Sequence, residues 1–156
     1  DDGSIRLLWI GSPSTLRYLE AWLPTLTRLG ARHRSLELHV VGARLEAPGL
    51  RCVLHPWNAE TERDIAQRCH IGLSPLADGD WERGKCGLKL LLYMALGLPA
   101  VASCAGVHPE MVTAGVGGEL VRDDAELEAV LERLIVDAPR RARLGRPARQ
   151  TLEERY

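Results

Sequence analysis

The sequence lacks the features that mark several classes of protein. Its 156 residues carry a formal net charge of −1, so it has no basic excess of the kind that a nucleic-acid-binding domain concentrates on one face. Its four cysteines contain no C-x-x-C pair, which argues against a zinc site or a disulfide framework. We therefore expect reduced, mostly buried thiols and no nucleic-acid partner.

Long apolar runs are also missing. The most apolar stretch, residues 88–101, is interrupted by Lys89, Gly97 and Pro99, so it does not suit a membrane span. No secretory leader is recognisable, and we expect a cytoplasmic protein. The chain starts at Asp1 without a methionine and stops at Tyr156 inside a predicted helix. We therefore expect it to be a piece of a longer protein.

What the sequence does contain is enough apolar material for one domain over residues 1–156, with 46% hydrophobic and 26% charged residues. Short apolar runs alternate with amphipathic segments, a pattern typical of a parallel, doubly wound α/β sheet. The first run, IRLLWI, predicts a strand that is buried on both faces. The predicted strands are residues 5–10, 36–41, 50–55, 70–75, 99–103 and 119–121.

Helices are predicted between these strands from apolar spacing and capping residues. In the first, Ser14 is the expected N-cap, Pro24 the site of a kink and Gly30 the end. Asn58 is the expected cap of the next helix. The predicted helices are residues 15–29, 59–69, 86–96 and one starting after Asp123 or Asp124 and ending at Val136, with a turn or helix at 108–113 and two further helical segments beginning at Pro139 and Pro147.

The connection between the second and third strands leaves two topologies open. It has eight residues, including Pro48 and Gly49, which is shorter than a usual parallel crossover. The pair is therefore either a parallel pair joined by an abbreviated, non-helical crossover or an antiparallel hairpin. We prefer the parallel pair because both runs read as buried.

The stretch of residues 81–106 carries the chemistry expected at the carboxyl ends of such strands. Gly84 and Gly87 permit close approach of the backbone to a ligand, and Lys85 and Lys89 stand four residues apart at a predicted helix start. Backbone N–H groups and the positive end of the helix dipole favour an anion there. The pattern indicates an anionic, nucleotide-like ligand, although two solvated helix lysines would give the same spacing. Neither G-x-G-x-x-G nor a P-loop is present.

Several of these segments together resemble the signature of the "glycosyl transferases group 1" family. They are residues 72–76, 81–89 and 93–103, with flanking matches at 9–15, 40–42, 106–110 and 117–118. The resemblance implies the carboxy-terminal half of a GT-B glycosyltransferase, a three-layer Rossmann-like domain with a mostly parallel sheet and helices on both faces. It further implies a nucleotide-diphosphate sugar as donor, retaining hexosyl transfer, neither metal nor cofactor, and a missing amino-terminal acceptor domain. The isolated domain is then expected to bind donor without turnover.

The resemblance also assigns roles to residues, with one departure. Two glutamates of the family, which handle the donor sugar and the ribose, correspond to Gly84 and Leu92 in this sequence. Glu82 lies two residues before the first and is the candidate substitute. Lys85 and Lys89 are the candidate diphosphate contacts, and the Trp57 loop resembles the segment that meets the base. The complete set of candidate donor-binding residues is Gly11, Ser12, Trp57, Glu82, Gly84, Lys85, Gly87, Leu88, Lys89 and Gly106, and no catalytic residue is assigned.

Other interpretations remain beside this one. Loss of both glutamates suits a non-catalytic binding module that kept the fold, whereas a receiver domain is disfavoured because no acidic cluster follows the first strand. Trp57 and Trp81 equally suit packing at the edges of the core. A group of arginines near the carboxyl terminus forms either a solvated helix face or a surface for the missing domain or a peripheral membrane contact. These are Arg140, Arg141, Arg143, Arg146 and Arg149.

Overall fold

The computed structural model describes residues 2–156, with Ala114 described by its backbone alone. Its strands form a sheet in the order β3-β2-β1-β4-β5-β7-β6, and each neighbouring pair is parallel. The strands are β1 (Ile5–Ile10), β2 (Leu36–Val41), β3 (Arg51–His55), β4 (Ile71–Ser74), β5 (Ala100–Ser103), β6 (Thr113–Ala114) and β7 (Gly117–Val121). The predicted α/β class and parallel sheet are confirmed.

Helices cover both faces of the sheet. They are α1 (Leu16–Glu20), α2 (Leu23–Arg32), α3 (Ala59–Ala66), α4 (Asp80–Arg83), α5 (Leu88–Ala95), α6 (His108–Met111), α7 (Asp124–Val136) and α8 (Ala138–Arg155), with a 3₁₀ turn at Pro13–Thr15. Asn58 accepts a hydrogen bond from the backbone of Thr61, which confirms it as the cap of α3. Asp123 accepts one from Glu126 and is the cap of α7.

The two faces of β1 contribute to two separate apolar cores. Leu7 and Trp9 point into the core that contains side chains of α2 and α7, whereas Leu8 and Ile10 point into the core beneath α5. Since successive side chains of a strand alternate between faces, a continuous apolar run is what such a position requires. The strand buried on both faces that IRLLWI predicts is therefore confirmed, and so is the three-layer arrangement that the resemblance implies.

The first predicted helix is wrong in its details. The segment divides into α1 and α2 after Glu20, and Ser12 rather than Ser14 precedes the 3₁₀ turn. Pro24 lies in the first turn of α2, where its missing N–H costs nothing, so it helps to start a helix instead of kinking one. Gly30 does not end α2 but is buried within it, close to Leu50.

The connection between β2 and β3 is the abbreviated parallel crossover that the sequence favoured over a hairpin. Residues 37–41 pair with residues 51–55 in register and in parallel. Leu45 and Leu50 of the connection are buried in the core, with 6% and 7% of their surface exposed. Two apolar side chains thus fill the space that a crossover helix would cover.

The carboxyl-terminal segment also differs from prediction, because α8 is one helix of 18 residues with Pro147 inside it. The expectation of two helices starting at Pro139 and Pro147 was wrong at the second proline. Four of the five predicted surface arginines have partners within the domain. Arg140 pairs with Glu119, Arg141 donates to the carbonyls of Leu134 and Ile135, Arg143 lies near Asp137, and Arg149 pairs with Glu153.

A buried carboxylate ties β1, β2 and β3 together. Glu37 lies 2.9 Å from Nε2 of His39, 3.1 Å from Nη1 of Arg51 and 3.3 Å from Nε of Arg6. Burial alone would raise the pKa of Glu37, but the hydrogen bond from His39 and the two guanidinium groups outweigh it and hold the pKa below its usual value. The ionised form of Glu37 therefore stabilises the fold.

Replacing this carboxylate tests that conclusion. Glu37→Gln should lower the free energy of unfolding by about 1–3 kcal/mol at neutral pH, because buried donors lose a charged acceptor. Since the folded pKa lies below the unfolded one, the difference from wild type should shrink as pH falls through the folded pKa. Urea unfolding measured across the acidic range gives both quantities. Glu128→Gln, which weakens more exposed pairs with Arg28 and Arg32, should cost less than Glu37→Gln.

Candidate functional site

A crevice opens where the order of the strands reverses. From β1 the chain proceeds outward to β2 and β3, then returns to β4 on the other side of β1 and continues to β5. Loops that leave the carboxyl ends of β1 and β4 therefore diverge, and ligands of open α/β sheets bind in the space between them. The residues after β1 and β4 are the ones in which the sequence placed its candidate site.

A cleft with a volume of about 1100 Å³ occupies this position. It is lined by residues from the ends of β1 to β4, from the start of α5 and from Leu152 of α8. The structure brings eight of the ten predicted donor-binding residues to its wall. They are Gly11, Ser12, Trp57, Gly84, Lys85, Gly87, Leu88 and Lys89.

The floor of the cleft depends on glycines that allow backbones to approach each other. Gly42 has a φ of +94°, and a Cβ there would collide with the carbonyl oxygen of Gly11 and lie 3.6 Å from Cβ of Trp57. The backbone N–H of Gly42 donates to the carbonyl of His55 at 3.1 Å, and that of Gly11 donates to the carbonyl of Val41 at 3.0 Å. The ends of β1, β2 and β3 are thereby joined beneath the site.

Helix α5 begins at the opposite side of the cleft without a side-chain cap. Gly87 occupies the N-cap position in the left-handed region, with a φ of +68°. Having no side chain, it satisfies none of the N–H groups that a helix leaves free in its first turn. Leu88 and Lys89, the first residues of the helix, line the cleft. The positive end of α5 thus faces the crevice.

The cations at this helix start have no carboxylate within ion-pair distance in the described part of the chain. Lys89 is half buried, and its Nζ lies 5.5 Å from the centre of the Trp9 ring. Burial, with a smaller effect of Lys85, lowers the pKa of Lys89. Nζ of Lys85 lies 4.5 Å from the ring centre of Tyr18 and 3.4 Å from its hydroxyl oxygen. Both groups therefore suit an anion in the cleft.

Glu82 and Gly106 are the predicted site residues that the structure places behind the cleft wall instead. The carboxylate of Glu82 accepts a hydrogen bond of 2.5 Å from the hydroxyl of Tyr18, and this bond holds the pKa of Glu82 below its usual range. Nη2 of Arg17 lies 3.7 Å from the same carboxylate. A Cβ at Gly106 would lie 3.0 Å from the carbonyl of Glu82, so this glycine lets the loop after β5 pack against α4. The side chain of Glu82 is therefore bonded to Tyr18 and does not line the cleft.

His108 lines the cleft but is buried and hydrogen-bonded on both nitrogens. Nδ1 lies 2.9 Å from the carbonyl oxygen of Ser103, so it must donate, and Nε2 then accepts from the hydroxyl of Ser74 at 3.2 Å. Burial lowers the pKa of His108. His108 is therefore a neutral imidazole, and its two hydrogen bonds hold the loop after β5 against β4.

Sequence reasoning missed Tyr18 and Glu62, which both line the cleft. Tyr18 belongs to a helix whose apolar spacing made it look like a core residue. Nε1 of Trp57 donates to the carboxylate of Glu62 at 2.6 Å. The spacing of five residues between them crosses a helix cap, so no periodic pattern connects the pair.

A sequence model of the family described as glycosyl transferases group 1 matches residues 5–137. The chain belongs to this family. No curated protein matches the sequence. In the described part of the chain no three His, Cys, Asp or Glu side chains form a metal-binding group, and no helix is long and apolar enough to cross a membrane.

Solved glycosyltransferase structures share the fold. The C-terminal domain of the group 1 family protein LpcC from Francisella tularensis superposes with a TM-score of 0.78 at 14% identity, covering 98% of this chain and 86% of that one. HepE from Anabaena, in complex with UDP and glucose, gives 0.81 at 18% identity, with coverages of 99% and 45%. WaaG, a glycosyltransferase involved in lipopolysaccharide biosynthesis, gives 0.78 at 19%, with coverages of 98% and 44%. The chain therefore has the fold of one half of a GT-B glycosyltransferase and spans less than half the length of HepE and WaaG.

Within this glycosyltransferase domain, the positions expected to carry the family's glutamates differ from the pattern. Gly84 and Leu92 both lie in the wall of the cleft. Among the described residues that line it, Glu62 is the one carboxylate, and it lies on the side of Trp57 rather than on α5. The cleft therefore combines cations at one end with an aromatic ring and a carboxylate at the other.

The glycine floor gives a direct test of how the cleft is built. Gly42→Ala should be destabilising both because alanine is strained at a positive φ, at about 1–3 kcal/mol, and because its Cβ meets the carbonyl of Gly11. Gly115→Ala is the matched control, since Gly115 has a φ of +82° with nothing within 4 Å of the added Cβ. Urea unfolding should show a larger loss for Gly42→Ala. Equal losses would mean that the close approach does not constrain the cleft.

Proposed function

We propose that this domain is the donor-binding half of a retaining glycosyltransferase, and that a nucleotide-diphosphate sugar binds in the cleft at the strand reversal. The observation that carries the proposal is the pair Lys85 and Lys89, which face the cleft beside the uncapped start of α5 without a carboxylate partner. A diphosphate would supply the negative charge that these two lysines attract. Backbone N–H groups of the helix start add hydrogen bonds to its oxygens.

The residues of the cleft support a nucleotide in one orientation. Trp57 follows β3, whereas the ammonium group of Lys89 lies over Trp9 of β1. The aromatic ring and the cations therefore come from different parts of the cleft wall. The base would then stack on the exposed indole of Trp57, with the diphosphate at Lys85 and Lys89.

The same cations would assist the chemistry. Hexosyl transfer from a nucleotide sugar breaks the bond between the anomeric carbon and the diphosphate, and negative charge builds on the departing oxygen. Fixed positive groups that already face this oxygen stabilise that charge without reorganising. Transfer with retention, and the absence of a metal requirement, remain part of the proposal. The acceptor would be bound by an amino-terminal domain, so this chain alone would bind donor without turnover.

The surroundings of the cleft suit contact with such a second domain. Trp81 and Leu88 expose 76% and 71% of their surface beside it.

A location in the cytoplasm, with peripheral contact to a membrane, belongs to the same proposal, but most arginines of α8 have partners within the domain. They therefore provide less free charge for a membrane surface than their number implied.

A non-catalytic binding module is the second candidate, and the absence of carboxylates at Gly84 and Leu92 favours it. The two candidates differ in a chain that includes an acceptor domain. Hydrolysis or transfer of the donor sugar by that longer chain would support the enzyme, whereas donor binding without either reaction would support the module.

The donor site predicts a loss of binding when its cations are removed. Lys85→Ala and Lys89→Ala should each weaken binding of UDP, GDP or ADP by about tenfold, since each removes a charge-assisted contact. Arg83→Ala is the control, because Arg83 ends α4 two residues before Lys85 but pairs with Asp78 and Asp80 outside the cleft. Calorimetric titration measures the constants. No binding of any of the three nucleotides at millimolar concentration would contradict the proposal, as would equal effects of the lysine and arginine variants.

A pH dependence follows from the lowered pKa of Lys89. Affinity for ADP, whose base has no ring proton to lose at alkaline pH, should fall as pH rises through this pKa, at a lower pH than an ordinary lysine would require, because the diphosphate is fully ionised there and only the protein loses charge. Lys89→Arg should keep its affinity to higher pH, since the guanidinium stays protonated. Titrations of both proteins from neutral to alkaline pH test this. Identical profiles would show that Lys89 does not contact the anion.

A further inference from the structure

The carboxylate of Glu62 lies at the edge of the indole that would hold the base. Nε1 of Trp57 donates to Oε2 of Glu62 at 2.6 Å, and both residues line the cleft. Glu62 belongs to the first turns of α3, and Asn58 fixes the start of that helix by accepting from the backbone N–H of Thr61 at 2.8 Å. The pair therefore joins a loop and a helix start into one unit at the end of β3.

This unit leaves both an aromatic face and hydrogen-bond acceptors open to a ligand. Trp57 exposes 63% of its surface. An ionised carboxylate can accept about four hydrogen bonds, and the indole N–H uses one of them. The oxygen of Glu62 that accepts from Nε1 lies close to the plane of the indole, whereas a ring stacked on the face of Trp57 lies in a parallel plane, so the other oxygen of Glu62 is the one that can turn towards the edge of such a ring. Because Glu62 is the one carboxylate among the described residues of the cleft wall, it favours a base whose edge carries hydrogen-bond donors.

The common nucleobases differ in what that edge offers. Guanine presents N1–H and the N2 amino group side by side, so two neighbouring donors can both bind the carboxylate oxygen that the indole N–H leaves free. Uracil has one N–H between two carbonyl oxygens, and those oxygens would face the negative charge. Adenine and cytosine each present an amino group next to an acceptor nitrogen. Guanine is therefore the base that a carboxylate in this position recognises with two hydrogen bonds.

We propose that the cleft is selective for guanine nucleotides and that Glu62 is the residue that determines this choice. The inference rests on the proposed donor site, with the diphosphate held at Lys85 and Lys89. Trp57 then has two tasks, since its face stacks on the base and its N–H orients the carboxylate. A good bidentate pair discriminates against a wrong base by about tenfold or more.

Calorimetric titration of the chain with GDP, IDP, UDP and ADP tests the selectivity. GDP should bind about tenfold more tightly than UDP and ADP, and IDP, which keeps N1–H but lacks the amino group, should lie between them. In Glu62→Gln the affinities for GDP and UDP should converge, because the amide has one acceptor oxygen and adds a donor. Glu60→Gln is the matched control, since Glu60 lies in the same turn of α3 but outside the cleft wall, and it should leave the preference for GDP unchanged.

The outcomes separate this inference from the donor site itself. If UDP binds as tightly as GDP to the wild type, or if Glu62→Gln weakens all four nucleotides equally, the guanine selectivity is overturned while the diphosphate site stands. If 2′-deoxy-GDP loses as much affinity as UDP, Glu62 contacts the sugar hydroxyls and the inference is again overturned. Failure of every nucleotide to bind overturns the donor site and the inference together.

Discussion

The parallel pairing of β1 with β4 is the constraint on which the rest of the domain depends. Leu7 and Leu8 pair with Ile71 and Gly72, although residues 11–70, which include β2 and β3 on the other side of β1, separate the two strands in the sequence. This return across β1 makes the loops that follow the two strands diverge, and the cleft is the space between them. It also requires β1 to be apolar on both faces, since helices cover it from both sides.

The same strand connects the core to the site through Trp9. Its indole is buried, yet it carries Lys89 on one side and closes the space at Gly11, where an added Cβ would run into the ring. A half-buried ammonium over an aromatic ring gains a cation–π contact but loses hydration, and the lost hydration, with a smaller effect of Lys85, lowers the pKa of Lys89. An anion bound beside Lys89 would favour its charged form.

Features with local causes could be predicted from the sequence, and features with distant causes could not. The two-faced burial of β1, the cap at Asn58 and the glycine and lysine pattern around α5 each depend on neighbouring residues. The strands could be predicted from such patterns, and most of the candidate residues lie in the wall of the cleft. The predictions for Pro24 and Pro147 were wrong because a proline can occupy either the first turn or the interior of a helix. Packing against the rest of the domain decides which of the two positions it takes. The bond between Tyr18 and Glu82 joins residues 64 positions apart, so nothing near either residue predicts it.

That bond has a consequence for how charge is distributed at the mouth of the cleft. The hydroxyl of Tyr18 donates to Glu82 while it accepts from Arg17 at 2.8 Å, and Lys85 lies over the same ring. The negative charge of Glu82 is thus engaged by the hydroxyl of Tyr18. A carboxylate turned from α4 towards Lys85 and Lys89 would neutralise the cations that an anion needs. Tyr18 therefore keeps the acidic side chain of α4 out of the cleft wall, and Glu62 on the side of Trp57 is the carboxylate that the described residues of that wall contain.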